Sequence, residues 1–300
     1  MSNYIIFSLQ SNQEVAKKVT AKYGAELGSI SVDRFADGEV LVKSLSDVKN
    51  KDVVIIESTA KNAHEVLFEL LLLIDSIKRG GAKSIKLYIP YFGYSRQERV
   101  SWVNEPVSCE VVAKILDTAE VDKILTFDIH HCDILNFFKT PFESLPTTKL
   151  FKDYYLDYFQ KHNIDLKDVV VVSPDHGSNT RADLLVNELK GSKKVILNKY
   201  RPKPNLAEHL QVNVEEVKNK ICIIIDDIID TGGTIVSAAD LLIKSGAKSV
   251  MVGASHGVFS PNSVKKLIES PLDDIVVTNT IERRFQNEVH VIDISELINL

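Results

Sequence analysis

Cysteine, methionine and tryptophan are scarce, at three, two and one in 300 residues. The three cysteines, Cys109, Cys132 and Cys222, stand far apart and form no CxxC pair, which argues against a disulfide framework and against a paired-cysteine metal or redox motif. Cys222 opens a very apolar segment, and the expectation is a buried, reduced thiol in a cytosolic protein. Positive charge is not in excess. Thirty-six Lys and Arg against 41 Asp and Glu leave a net charge of −5, so the diffuse field of a nucleic-acid binder is missing, although a local basic pocket for an anionic substrate stays open. There is no long hydrophobic run either. The most apolar stretch, VLFELLLLIDSI (66–77), is interrupted by Glu69 and Asp75 and is too short to span a bilayer. The opening MSNYIIFSLQ lacks the basic start and long apolar core of a secretory signal. Glycine and proline, 13 and 9, are too few for a collagen-like or low-complexity chain. These absences predict a soluble, cytoplasmic protein with neither nucleic acid nor membrane as partner.

What is present is a rhythm. Short β-branched runs at 4–9, 53–58, 84–91, 123–129, 169–174, 194–199, 221–226, 249–255 and 274–279 alternate with longer helical patterns. Several runs carry apolar residues at consecutive rather than alternate positions, as a strand covered on both faces requires. Leu67, Leu70, Leu71, Ile74 and Ile77 fall at helical spacing before Gly80-Gly81, and Ala238, Leu241 and Leu242 form a similar stripe before Gly246. The alternation predicts an α/β fold of doubly wound domains with mainly parallel sheets. At ~150 residues per domain the length suggests two domains, which we place at 1–145 and 146–300. A shared GAKS after a helix in each half (81–84 and 246–249) suggests an ancient duplication.

The most informative segment is IIIDDIIDTGGTI (223–235). An apolar strand ends in Asp226 and Asp227, and Asp230-Thr231-Gly232-Gly233-Thr234 leads into a helix. Ligands of open α/β sheets bind outside the carboxyl ends of the strands, where this loop lies. Two glycines allow a tight turn with inward N–H groups, two threonines add hydroxyls, and the helix N-terminus supplies partial positive charge, which together suit a phosphate. The loop holds no lysine and is not a Walker A loop. Its paired carboxylates suit a diol or a metal ion, and a sugar phosphate satisfies both carboxylates and glycine turn.

This string resembles the phosphoribosyl-diphosphate binding loop of the type I phosphoribosyltransferases. Four further segments, RFADGEV (34–40), YSRQER (94–99), DIHHCDILNFF (128–138) and SPDHG (173–177), occur in the order and spacing of the ribose-phosphate diphosphokinase family, and NKYRPKPN (198–205) is similar to that family's mobile catalytic loop. The resemblance covers nearly the whole chain and implies two phosphoribosyltransferase-like (type I) domains. It further implies transfer of the β,γ-diphosphoryl group of ATP to the C1 hydroxyl of ribose 5-phosphate, with Mg²⁺ as cofactor, in a homo-oligomer built from dimers up to a hexamer.

Residue by residue, Phe35, Asp37, Gly38 and Glu39 are implied to contact ATP across a subunit interface. The spacing of Phe35, Asp37 and Glu39 would place alternate side chains on one side of an extended segment, a ring and two acceptors for adenine. Arg96 can fork onto phosphate oxygens and Gln97 can meet polar groups of the nucleotide. His130 is implied to bind ATP and metal, and Asp175 is the better hard-oxygen ligand for Mg²⁺; His131 is left unassigned. Asp226, Asp227, Asp230, Thr231, Gly232, Gly233, Thr234 and Arg201 are implied to hold ribose 5-phosphate. Lys199 and Arg201 are the proposed catalytic pair, cations placed where charge builds up in the transition state. Pro202 and Pro204 bar this stretch from continuing as strand or helix, consistent with a closing flap.

Three features depart from the family pattern. VSWVNEPVS (100–108) carries Trp102 and Asn104 where phosphate-activated members carry basic residues, so phosphate activation and ADP inhibition are not carried over. Gly177-Ser178-Asn179 replaces a glycine-rich continuation, and the chain stops at SELINL, short of the family's terminal helix. A non-catalytic homologue that regulates active subunits and a phosphoribosyltransferase are the two competing readings; retention of Lys199, Arg201, His130 and Asp175 argues against the first.

Overall fold

The computed structural model describes residues 3–175, 177–200 and 209–300, with 198–200 and 209 described by backbone alone. The chain divides into two units: Met1–Leu145 with Thr280–Glu282 and Ile294–Leu300, and Pro146–Asn279 with Arg283–Asp293. The second segment is therefore not the continuous 146–300 unit expected from the sequence, because two pieces of it return to the first.

In the first unit the elements run β1 (Tyr4–Phe7), α1 (Gln13–Tyr23), β2 (Glu26–Leu27), β3 (Ile30–Arg34), β4 (Val40–Ser44), β5 (Asp52–Ile56), α2 (Ala63–Arg79), β6 (Ser84–Ile89), α3 (Ser108–Asp117), β7 (Lys123–Phe127) and β8 (Phe142–Leu145). In the second they run α4 (Thr148–Lys161), β9 (Val169–Ser173), α5 (Asn179–Glu188), β10 (Lys193–Ile196), β11 (Asn198–Tyr200), β12 (His209–Gln211), α6 (Val214–Val217), β13 (Ile221–Ile229), α7 (Gly233–Lys244), β14 (Ser249–Gly257), α8 (Ser263–Ile268), β15 (Asp274–Thr278) and β16 (His290–Ile292).

Each unit is built on one six-stranded sheet, ordered β2-β1-β5-β6-β7-β8 and β10-β9-β13-β14-β15-β16, and every pairing in both sheets is parallel. Two antiparallel hairpins, β3–β4 and β11–β12, stand outside them. Consecutive apolar residues make the central strands buried throughout, as in Val53–Ile56 and Ile221–Ile225. The stripe on α2 buries Leu67, Leu70, Leu73, Ile74 and Ile77 against the β5–β6 side chains, while Leu71 is only partly covered. Each such burial stabilises by roughly 1.5–3 kcal/mol relative to exposure.

The likeness of the two halves extends beyond GAKS. Gly81 and Gly246 both turn at positive φ, +82° and +88°, as do Asn50 and Asn219 at 59° and 60°. Asn50 N–H donates to the Gly81 carbonyl at 2.9 Å and Asn219 N–H to the Gly246 carbonyl at 2.8 Å. Lys83 to Lys51 and Lys248 to Lys220 repeat the same backbone bond at 2.8 Å. The same turn thus feeds the central strand pair β5–β6 in one unit and β13–β14 in the other.

The returning pieces stay with the first unit for a chemical reason. The Asn12 side chain does not cap α1, and Glu282 supplies the acceptors instead, taking the N–H groups of Glu14 and Val15 at 2.8 and 3.1 Å. A carboxylate there also suits the positive end of the helix. At the other end of α1, the Lys22 ammonium donates to the Glu296 and Ile298 carbonyls at 3.0 and 3.2 Å, and the Tyr88 hydroxyl donates to the Asn299 carbonyl at 2.7 Å.

Candidate active site

The paired carboxylates lie at the carboxyl end of β13, which runs on to Ile229 rather than stopping at 226. Asp226 is half-buried and Asp227 buried. One Asp226 oxygen accepts from the Ser178 hydroxyl at 2.6 Å and from the Asp227 N–H at 2.9 Å. Burial, reinforced by the neighbouring Asp227 charge, pushes the Asp226 carboxyl up to about 7. Asp227 faces the guanidinium of Arg181, 3.6 Å away on α5, with both side chains nearly covered.

The following turn is shaped by contact. Gly232 sits at φ +73°, and a Cβ there would lie 3.1 Å from the Leu267 side chain on α8. Gly232 N-caps α7 and accepts the Val236 N–H at 2.9 Å. Around Gly233 a Cβ would meet nothing nearer than 3.8 Å, and Thr231 and Thr234 are exposed, so the first turn of α7 is open to a ligand. Asp230 accepts from the Ser260 hydroxyl, and its carbonyl from the Ser260 N–H at 3.2 Å, which fixes the side of the turn opposite the glycines. An open helix start lined by hydroxyls offers the N–H donors and partial positive charge that suit an anion.

At the neighbouring strand end, after β9, one oxygen of Asp175 accepts the Gly177 and Ser178 N–H groups at 2.9 and 3.2 Å. This turn delivers Ser178 to Asp226 and starts α5, which carries Arg181. The ends of β9 and β13 thus bring Asp175, Ser178, Arg181, Asp226 and Asp227 together. Ser178 and Arg181 were not among the residues expected from the sequence; their signal is only their position just past a strand end, and recognising it requires knowing that β9 and β13 are paired.

The first unit shows what becomes of the same geometry without a ligand role. Glu57, just past β5, takes the place that Asp226 has on β13 when the Lys51 and Lys220 turns are matched. It is fully buried and reaches across to the loop after β1, accepting the N–H groups of Leu9, Gln10 and Ser11 at 2.8, 3.2 and 2.9 Å and the Ser8 hydroxyl at 3.2 Å. A cradle of backbone N–H groups that would suit an anion is here filled by the chain's own carboxylate. In the second unit the equivalent carboxylate takes one hydroxyl and one backbone N–H and is not fully covered.

The residues expected on the nucleotide side lie in the first unit. Phe35, Asp37, Gly38 and Glu39 are exposed, but the segment is not extended, which corrects the expectation of alternate side chains on one side. It is the tight tip between β3 and β4: Phe35 N–H donates to the Glu39 carbonyl at 2.8 Å, Gly38 turns at φ +96°, and the Asp37 carboxylate accepts the Glu39 N–H at 3.1 Å. Five residues between paired strands close a hairpin more readily than they extend. Arg96 is exposed, and the Gln97 amide oxygen accepts the Ser108 hydroxyl at 2.6 Å at the start of α3. Their approach turn needs Gly93, where a Cβ would fall 2.2 Å from the Thr59 carbonyl oxygen. His130 is half-buried past the end of β7, beyond a turn at Asp128 with φ +35°. Lys199 lies on β11, paired with Leu210 of β12, so the catalytic-loop segment begins as a strand. Arg201, Pro202 and Pro204 lie outside the described residues.

Residues 4–119 match the family model for the N-terminal domain of ribose phosphate pyrophosphokinase, and residues 192–299 that for the phosphoribosyl synthetase-associated domain. The ribose-phosphate pyrophosphokinase of Bacillus cereus is 39% identical over 300 residues, covering 99% of this chain and 92% of its own. The chain belongs to the ribose-phosphate pyrophosphokinase family. The Halalkalibacterium halodurans pyrophosphokinase is 42% identical over 280 residues, covering 93% of this chain and 86% of its own. A phosphoribosylpyrophosphate synthetase structure from Mycobacterium smegmatis superposes with a TM-score of 0.87 at 32% identity, over 99% of this chain and 96% of that one. The chain is thus an enzyme of the pyrophosphokinase type, a transferase forming phosphoribosyl pyrophosphate for nucleotide synthesis, with the parallel, doubly wound sheets of that fold. Among the described residues no helix is long and apolar enough to cross a membrane.

Proposed function

We propose that the chain transfers the β,γ-diphosphoryl group of ATP to the C1 hydroxyl of ribose 5-phosphate. The C1 oxygen bonds to the β-phosphorus, the bond from that phosphorus to the α-bridging oxygen breaks, the hydroxyl proton is lost, and AMP leaves. The observation that carries this reading is the pair of strand-end carboxylates leading into the open glycine turn of α7. Asp226 and Asp227 suit the ribose hydroxyls, and Asp230 to Thr234 suit the 5-phosphate. Arg96, Gln97 and His130 are assigned to ATP, with Phe35, Asp37, Gly38 and Glu39 of a neighbouring subunit on the nucleotide. Lys199 and Arg201 offset the charge that builds on the bridging oxygens; losing one such donor typically costs about 10²–10³ in rate.

Asp175 offers the hard carboxylate oxygen that suits Mg²⁺, whereas the imidazole of His130 is an unusual ligand for that ion and fits better beside phosphate oxygens. When bound, Mg²⁺ would neutralise phosphate charge. A homo-oligomer is supported by a groove of about 430 Å³ in the first unit, lined by Leu67, Phe68, Tyr94, Val111 and Ile115, in which Phe68 and Val111 are more than half exposed. Sedimentation that finds a fully active monomer would remove this part. Trp102, 79% exposed, stands where the resemblance puts basic residues, and titrating phosphate and ADP measures whether either effector acts on this chain.

The deciding assay incubates the protein with Mg-ATP and ribose 5-phosphate and follows AMP. Formation well above that of a Lys199→Ala variant is expected. No formation beyond that variant would leave the regulatory homologue, and base-dependent pyrophosphate release without ATP would leave a phosphoribosyltransferase.

A further inference from the structure

Just past His130 the chain presents His131, Cys132 and Asp133 in succession, all three exposed, at the start of a 3₁₀ turn spanning Cys132–Phe137. None is used by the proposed reaction. Their ligand atoms lie within 4.8 Å of one another: His131 Nδ1 is 3.4 Å from one Asp133 oxygen, and Cys132 Sγ is 4.0 Å from the other. Bonds of about 2.0–2.3 Å to a tetrahedral ion set neighbouring ligand atoms roughly 3.3–3.8 Å apart, so the cluster needs only a small side-chain adjustment. The backbone beneath is anchored, because Ile134 is fully buried in the first unit's core. His131 Nδ1 accepts the Asp133 N–H at 3.3 Å, which assigns the ring proton to Nε2 and makes Nδ1 the donor atom, one that exchanges this long bond for the ion on binding.

We infer that His131, Cys132 and Asp133 form a binding site for a thiophilic divalent transition ion of the zinc class, separate from the Mg²⁺ of the reaction. The donor set decides the class. A thiolate and an imidazole select zinc, cobalt or similar ions over magnesium, which prefers oxygen and holds its waters. Three protein donors on an exposed turn leave a fourth position for water, the arrangement of an open rather than a closed site. Binding releases the thiol proton, since the thiolate is the ligand. Because His130 is the preceding residue, an ion held here would perturb its surroundings; that consequence rests on the proposed role of His130, whereas the binding does not.

The test titrates Co²⁺ alone into the reduced, metal-free full chain without substrates. A near-ultraviolet thiolate-to-cobalt charge-transfer band saturating at one equivalent, bleached by Zn²⁺, is expected. Cys132→Ser should abolish the band, because Cys109 and Cys222 are buried and free, and Asp133→Asn should weaken Co²⁺ binding by at least about 10-fold, as loss of a supporting partner already does. Circular dichroism confirms that both variants fold, as expected for exposed positions. Absence of the band, or its persistence in Cys132→Ser, overturns the proposal and leaves the diphosphoryl-transfer reading untouched. Failure of AMP formation with an intact cobalt band has the opposite meaning.

Discussion

Replacing Glu57 by glutamine tests whether a carboxylate standing in for a ligand carries the energetics ascribed to it. Burial pushes the Glu57 carboxyl from 4.5 up to about 6, because desolvation outweighs the four hydrogen bonds it accepts. Raising the carboxyl from 4.5 to about 6 corresponds to about 2 kcal/mol between its protonated and ionised forms. The sign follows from the raised value: this group's contribution to stability is fully present below pH 4.5 and is lost as the pH rises through about 6. Glu57→Gln keeps the shape and an acceptor but cannot ionise. The stability of the variant relative to the native chain should therefore rise by about 2 kcal/mol between pH 4 and pH 7.5. Hydrogen exchange of the central amides of β1 and β5 reports the opening free energy of this unit at each pH. The amide of Leu9, whose acceptor is Glu57 itself, gives the local readout. A difference between the two proteins that stays constant across this range would refute the reasoning.

Two further outcomes follow from the same geometry. Asp226, raised from 3.8 to about 7 by burial and by Asp227, contributes stability that is lost as the pH climbs through 7, so Asp226→Asn should flatten the decline in thermal midpoint between pH 4 and 8; an unaltered slope would count against the assignment. Gly93→Ala forces a Cβ to within 2.2 Å of the Thr59 carbonyl oxygen and disturbs the 2.8 Å bond from Gly93 N–H to the Thr59 hydroxyl. Such overpacking should cost on the order of 3 kcal/mol or more; a urea midpoint equal to that of the native chain would show that the turn yields freely.

Much of the fold was legible because its signals are local. A strand covered on both faces must be apolar at consecutive positions, and the runs so identified hold strands from Tyr4–Phe7 to Asp274–Thr278, except that 194–199 is divided between β10 and β11. The helical stripes of α2 and α7 were legible for the same reason. Strands β8 and β16 were not, since short edge strands of four and three residues carry too little pattern. RFADGEV is a hairpin tip and not an extended run, and the two were not separable in the sequence because acceptor spacing on a strand and around a tight turn look alike until the partner strand is known.

The amino-acid order alone determined the family, the alternation of strand and helix, and the acidic strand end with its glycine turn, because each motif or element is a relation among residues within about a dozen positions and their order along the chain is read directly. What the tertiary structure decided are relations across 46 to 268 residues: Ser178 on Asp226, Glu57 closing the loop after β1, and Glu282 capping α1. A hydrogen bond acts over about 3 Å of space whatever the separation along the chain. The pairing of β1 with β5 brings Glu57 to the loop after β1, and that of β9 with β13 brings Ser178 to Asp226.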